Sequence, residues 1–179
     1  MSGRKFPFDW MPAQRYESGA PAVAGAAKNY EAMLLRVTGR SRHEVRAVKP
    51  KRVLIIDDDA SLLDALTTAL CPPYRVLAAH DSTAAFSLLR NDTVDLIILD
   101  LYLGAEDGLD LLPCLRALTP APVLLLTGFG TRENLLRVIQ AKPDDFLEKP
   151  VGVLGLRARV SALLGEVFPA DGAIERARA

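Results

Sequence analysis

Three short apolar runs and one weaker, mixed segment in this chain each lead into side chains that can do chemistry. Val53-Leu54-Ile55-Ile56 leads into Asp57-Asp58-Asp59, and Leu96-Ile97-Ile98-Leu99 leads into Asp100. Val123-Leu124-Leu125-Leu126 leads into Thr127, and Asp145-Phe146-Leu147-Glu148 leads into Lys149-Pro150. Any one of these residues could simply cap the turn that follows it. Collected at one place, they mean more. Carboxylates held together without cations repel and raise one another's pKa values, and a hard divalent cation resolves that conflict. Mg²⁺ takes oxygen ligands in octahedral geometry and is commonly held by one or two carboxylates with phosphate oxygen and water. The Thr127 hydroxyl could then bond one phosphoryl oxygen while the Lys149 ammonium neutralises another. Such a set suits phosphoryl transfer, in which the protein supplies position and charge.

The elements around these residues must bring them to one edge. Runs of four apolar residues rich in branched side chains read as strands buried on both faces, the signature of a parallel sheet. Arg75 to Ala79 makes a further, shorter strand, and Asp145 to Glu148 a weak one. Between the strands lie helical spacings. Leu62, Leu63, Leu66 and Leu70 follow Asp59 as cap, with Pro72-Pro73 as stop. A second helix, capped by Asp81 or Ser82, runs to Arg90. A third opens between Asp107 and Asp110 in the manner of a capping box and carries Pro113 inside it, at the cost of one hydrogen bond. Thr131 caps a fourth, to Ala141, and the last is expected to bury Val153, Leu156, Val160, Leu163 and Val167. Strand and helix alternate through five rounds, which implies parallel pairing with right-handed crossovers and an α/β sheet covered on both faces. All the strand ends then point the same way, and in open α/β sheets ligands bind outside the carboxyl ends of the strands.

Composition separates the chain into two parts. Of 179 residues, positions 1–52 hold eleven Lys/Arg against four Asp/Glu, a net of +7, while positions 53–179 hold eleven against eighteen, a net of −7. A basic extension joined to an acidic domain follows. The two cysteines, Cys71 and Cys114, lack metal-ligand spacing and read as reduced thiols of an intracellular protein. Asp9, Pro12 and Glu17 break up any signal-peptide core, and no run approaches the ~18 apolar residues of a membrane span. Residues 18–27 read as a flexible linker. Tyr30, Met33, Leu34 and Val37 repeat at i, i+3, i+4 and i+7, which predicts a short docking helix near residues 28–38, with mobile chain on either side.

Taken in order, Ile55-Ile56-Asp57-Asp58-Asp59, Leu99-Asp100-Leu101, Asp107-Gly108, Leu126-Thr127-Gly128 and Phe146-Leu147-Glu148-Lys149-Pro150 resemble the receiver domain of bacterial two-component response regulators. The resemblance spans about residues 52–168, leaving 1–51 as the basic extension and 169–179 as a tail. It implies a doubly wound, flavodoxin-like sheet in strand order 2-1-3-4-5. Asp100 would be the phosphoacceptor. Asp58 and Asp100 would hold Mg²⁺ together with the backbone carbonyl of Tyr102, and Asp57 would act mainly through water. Lys149 would contact the phosphoryl group, aimed by a cis peptide before Pro150, and Thr127 with Phe146 would form a switch pair. A histidine kinase or phosphotransfer protein is the expected donor, and a target protein or a second copy of the chain the expected recipient of the signal. Neither nucleic acid nor a membrane is an expected partner. The implied location is the cytoplasm.

Some positions depart from that pattern. Lys142-Pro143 stands where a helix-ending Gly is usual, although Pro143 biases Lys142 away from the helical region. Tyr102 and Phe129 are bulky beside the acceptor and beside Thr127, and could screen an acyl phosphate from water. Asp57-Asp58-Asp59-Ala60 also resembles the nucleophile motif of haloacid-dehalogenase-type phosphatases, with Asp57 as nucleophile. That alternative lacks an acidic pair after Lys149 and leaves Asp100 without a role. No recognisable DNA-reading or catalytic output domain follows residue 168, so output through another protein is expected.

Overall fold

The computed structural model describes residues 49–128 and 132–166, and of the preceding segment Leu35 alone, which is helical. The expected docking helix, the Thr131 cap, Phe129, Val167 and the tail therefore lie outside the described residues. Strands β1 (Arg52–Ile56), β2 (Arg75–Ala79) and β3 (Leu96–Asp100) are followed by two short strands, β4 (Tyr102–Leu103) and β5 (Glu106–Asp107), then β6 (Val123–Thr127) and β7 (Asp145–Glu148). Helices α1 (Ala60–Leu70), α2 (Ser82–Asn91), α3 (Gly108–Leu118), α4 (Arg132–Ala141) and α5 (Val153–Leu163) alternate with the main strands. The main sheet has order β2-β1-β3-β6-β7, and each of its pairings is parallel. Counting its five strands in chain order, this is the expected 2-1-3-4-5 arrangement of a flavodoxin-like fold.

Two-residue periodicity divides the core. Leu54, Ile56, Ile97, Leu99, Val123 and Leu125 face Ala85 of α2, Leu112 and Leu115 of α3 and Val138 of α4. Val53, Ile55, Leu96, Ile98, Leu124 and Leu126 face Leu63, Leu66 and Leu70 of α1 and Leu156 and Val160 of α5. Successive side chains of a strand point to opposite faces, so an uninterrupted apolar run is what a sheet covered on both sides requires. The edge strand β7, with alternating half-buried and exposed residues, needs no such run.

The caps form largely where the spacing places them. Asp59 accepts from Ser61 N and Leu62 N, Asp81 from Ala84 N, and Asp107 from Leu109 N. The third helix passes through Pro113. Val153 corrects one expectation, because it is 52% exposed. It is the first residue of α5, where the helix has not yet come over the sheet, so its place in the apolar stripe does not bury it. A second difference is the β4–β5 hairpin, in which Tyr102 pairs with Asp107 and Leu103 with Glu106. Gly104 closes it at φ +61°, the left-handed region that glycine enters without penalty. The chain end of α4 is unusual for the opposite reason. Lys142 adopts φ +53°, a conformation costing a side-chain-bearing residue ~1 kcal/mol or more. Its carbonyl is held by Arg116, whose guanidinium also pairs with Asp144.

Candidate functional site

The parallel arrangement places Asp57, Asp100, Thr127 and Lys149 at the same edge, and side-chain geometry brings three of them into contact. Asp57 is completely buried and Asp100 is 6% exposed, both at the mouth of the sheet between β1 and β3. Lys149 reaches between them, its Nζ 2.9 Å from Asp57 Oδ2 and 2.9 Å from Asp100 Oδ2. The other Asp57 oxygen accepts from Asp59 N at 2.9 Å. Asp58 stays exposed, and its carboxylate joins those of Asp57 and Asp100 in a group whose ligand atoms lie within 4.8 Å of one another. Asp59 turns away to cap α1 and takes no part.

Backbone bonds fix the remaining pieces. Lys149 N donates to Thr127 O at 2.8 Å, which ties the lysine to the end of β6. The peptide between Lys149 and Pro150 is cis. Thr127 is buried, and its Oγ1 has no hydrogen-bond partner among the described residues. Phe146, on the neighbouring edge strand, is 37% exposed. The Tyr102 backbone favours the ionised form of the Asp100 carboxylate, and the residue is 46% exposed. Asp57, Asp58, Asp100, Lys149 and the Tyr102 backbone are thus assembled, whereas the Thr127 hydroxyl stands without a bond to them.

Sequence reasoning quoted Gly108 as part of a motif without giving it a task. A Cβ on Gly108 would lie 2.1 Å from the Asp100 carbonyl oxygen and 3.2 Å from that of Leu101. Its N–H donates to Leu101 O at 2.8 Å. The start of α3 therefore presses directly on the backbone of Asp100, and only glycine leaves room. Arg137, which no motif singled out, reaches from α4 to pair with Asp107.

Burial pushes the Asp100 carboxyl above its ordinary range. The Lys149 hydrogen bond opposes that rise, and the neighbouring Asp57 charge adds to it. Burial alone would lower the Lys149 pKa, but its hydrogen bonds to Asp57 and Asp100 outweigh this and hold it above the usual lysine value. One ammonium thus serves a group of three carboxylates and is bonded to two of them. An all-oxygen, strongly anionic donor set of this kind fits a hard divalent cation and no softer metal.

The raised Asp100 pKa has a consequence for stability. The folded state holds the Asp100 proton more tightly than the unfolded chain does, so ionising this group costs the fold. That cost is absent well below the ordinary value of 3.8 and grows as pH rises through the raised one. Asp100→Asn should therefore raise the thermal midpoint of metal-free protein at pH 7, with the gain fading on acidification. An unchanged or lower midpoint at pH 7 would contradict this electrostatic picture.

The fold and this constellation are those of a receiver domain, and the comparisons agree. A model of the response regulator receiver domain matches residues 53–161, and the chain belongs to that family. Response regulator MprA of Mycolicibacterium vanbaalenii is 35% identical over 130 residues, covering 72% of this chain and 56% of its own. Transcriptional regulatory protein CpxR of Klebsiella pneumoniae is 36% identical over 114 residues, covering 63% of this chain and 49% of its own. The chain thus spans about half the length of these curated relatives. The crystal structure of a CheY-like receiver domain protein from Methanospirillum hungatei superposes with TM-score 0.60 at 28% identity, covering 65% of this chain and 95% of that one.

Proposed function

We propose that this protein is a two-component signalling receiver that accepts a phosphoryl group on Asp100 in a Mg²⁺-dependent reaction. The observation that carries the reading is Lys149 held 2.9 Å from both Asp57 and Asp100 within the carboxylate group. A histidine kinase or phosphotransfer protein is the donor. An Asp100 oxygen attacks phosphorus, the bond from phosphorus to the donor imidazole nitrogen breaks, and the electron pair stays on that nitrogen. An ionised carboxylate needs no general base for this step. Asp58, Asp100 and the Tyr102 carbonyl would hold Mg²⁺, with Asp57 joined through water, and the ion would neutralise carboxylate and phosphoryl charge. Lys149 meets a phosphoryl oxygen at the same point.

Signalling then follows from Thr127 and Phe146. The Thr127 hydroxyl, without a partner among the described residues, gains an acceptor once a phosphoryl group is present, and the half-exposed Phe146 ring turns inward behind it. A ligand shifts such an equilibrium only through contacts that differ between the states. The output is a phosphorylation-controlled contact with a target protein or a second copy of this chain. Residues 52–168 form the receiver in this reading, 1–51 a basic extension and 169–179 a tail. A cytoplasmic setting belongs to the same reading; among the described residues no helix is long and apolar enough to cross a membrane. A phosphatase using Asp57 as nucleophile gains no support, because Asp57 is completely buried while Asp100 keeps some exposure.

The test is incubation of the full chain with a small acyl phosphate, with and without Mg²⁺. The expected product carries one phosphoryl group, forms only with the metal, and releases phosphate to hydroxylamine as acyl phosphates do. Steady turnover of simple phosphate monoesters with no such product would favour the phosphatase.

A further inference from the structure

We infer that Arg137 is a positioning residue for the acceptor site, acting from α4 through Asp107 on the loop that carries Tyr102. This rests on the proposed phosphoryl-acceptor reading.

The two Asp107 oxygens have separate tasks. Oδ1 accepts from Leu109 N at 2.9 Å and caps α3, while Oδ2 pairs with the Arg137 guanidinium. Asp107 is also the partner of Tyr102 in the β4–β5 hairpin. Tyr102 in turn lies two residues past Asp100, and its backbone favours the ionised form of that carboxylate. Next along the chain, Gly108 bonds Leu101 O and packs on the Asp100 carbonyl. A guanidinium on α4 thus pins, through one carboxylate, the two-stranded loop that fixes both the acceptor backbone and the Tyr102 carbonyl. The hairpin needs such an anchor. Each strand has only two residues, and isolated two-stranded hairpins are marginal in water. Arg137 links residues 30 positions apart, so it also makes the loop sense where α4 sits. The pair is partly solvent-exposed, which limits it to the modest energy of surface ion pairs. That is enough to bias a loop without being needed to fold the domain.

Mg²⁺ affinity of the full chain by titration calorimetry, and the rate of phosphorylation by a small acyl phosphate, test this assignment. Arg137→Ala should weaken Mg²⁺ binding and slow phosphorylation by about two- to fivefold, the scale of an exposed ion pair. Asp107→Ser keeps a capping oxygen but cannot reach Arg137, and should do the same. The double variant should lose no more than either single one, the mark of residues acting as a pair. Arg137→Lys should recover part of the loss, and Arg137→Gln serves if the alanine variant folds poorly. Unchanged Mg²⁺ affinity and rate in Arg137→Ala, or losses that simply add in the double variant, would overturn the inference. If the wild type neither binds Mg²⁺ nor takes a phosphoryl group, the proposed function fails instead.

Discussion

Gly108→Ala should destabilise the domain by about 3 kcal/mol or more, although it places the best helix former at the start of a helix. Propensity alone would favour alanine by ~0.5–1 kcal/mol. Against it stands a methyl group 2.1 Å from the Asp100 carbonyl oxygen, 3.1 Å from its carbonyl carbon and 3.2 Å from Leu101 O. All three are backbone atoms, and two belong to the central strand β3, whose residues are buried throughout. They cannot rotate away as the end of a flexible side chain would. Either α3 lifts from the sheet, uncovering Leu112 and Leu115, or Asp100 moves. The steric term decides the sign. Urea unfolding of the two proteins would measure it, and coincident midpoints would mean that the backbone accommodates the methyl group. In a variant that still folds, phosphorylation should fall because the proposed acceptor, Asp100, has shifted.

Lys149→Ala should destabilise the metal-free protein by about 2 kcal/mol, and Mg²⁺ should restore more stability to the variant than to the wild type. Removing one partner of a fully buried ion pair costs ~3–5 kcal/mol because it strands a charge. Asp57 is such a charge, but the Lys149 side chain is 26% exposed, so solvent reduces the penalty. Without the ammonium, three carboxylates face one another, and the cation finds a more negative site. Binding stabilises a fold by an amount set by ligand concentration over Kd, ~2.7 kcal/mol at a hundredfold excess. Thermal unfolding in chelator and in saturating Mg²⁺ gives both quantities. Equal Mg²⁺ gains in the two proteins would show that Lys149 and the metal do not share the same charge.

The main features were legible in the amino-acid sequence for a specific physical reason. A strand covered by helices on both faces has no polar alternation, so Val53–Ile56 and Val123–Leu126 stood out as unbroken runs, and the residues just after them marked the chemical edge. The hairpin of Tyr102–Leu103 and Glu106–Asp107 was not legible, because two-residue strands carry no period. Val153 obeyed the helical spacing and is nonetheless exposed, since periodicity gives a direction but not where the neighbouring layer ends. Gly108 was visible as a motif and silent as to cause, because the close approach to Asp100 exists only once α3 is docked. The pairing of Arg137 with Asp107 is a contact between elements, and nothing local in either segment announces it.

The central claim is that Asp100, and not the fully buried Asp57 beside it, receives the phosphoryl group. Borohydride reduces an aspartyl phosphate to homoserine, so reduction after phosphorylation, followed by peptide mass analysis, locates the acceptor. The account predicts homoserine at residue 100, dependent on Mg²⁺ and absent from Asp100→Asn. Homoserine at residue 57, or label undiminished in Asp100→Asn, would contradict it.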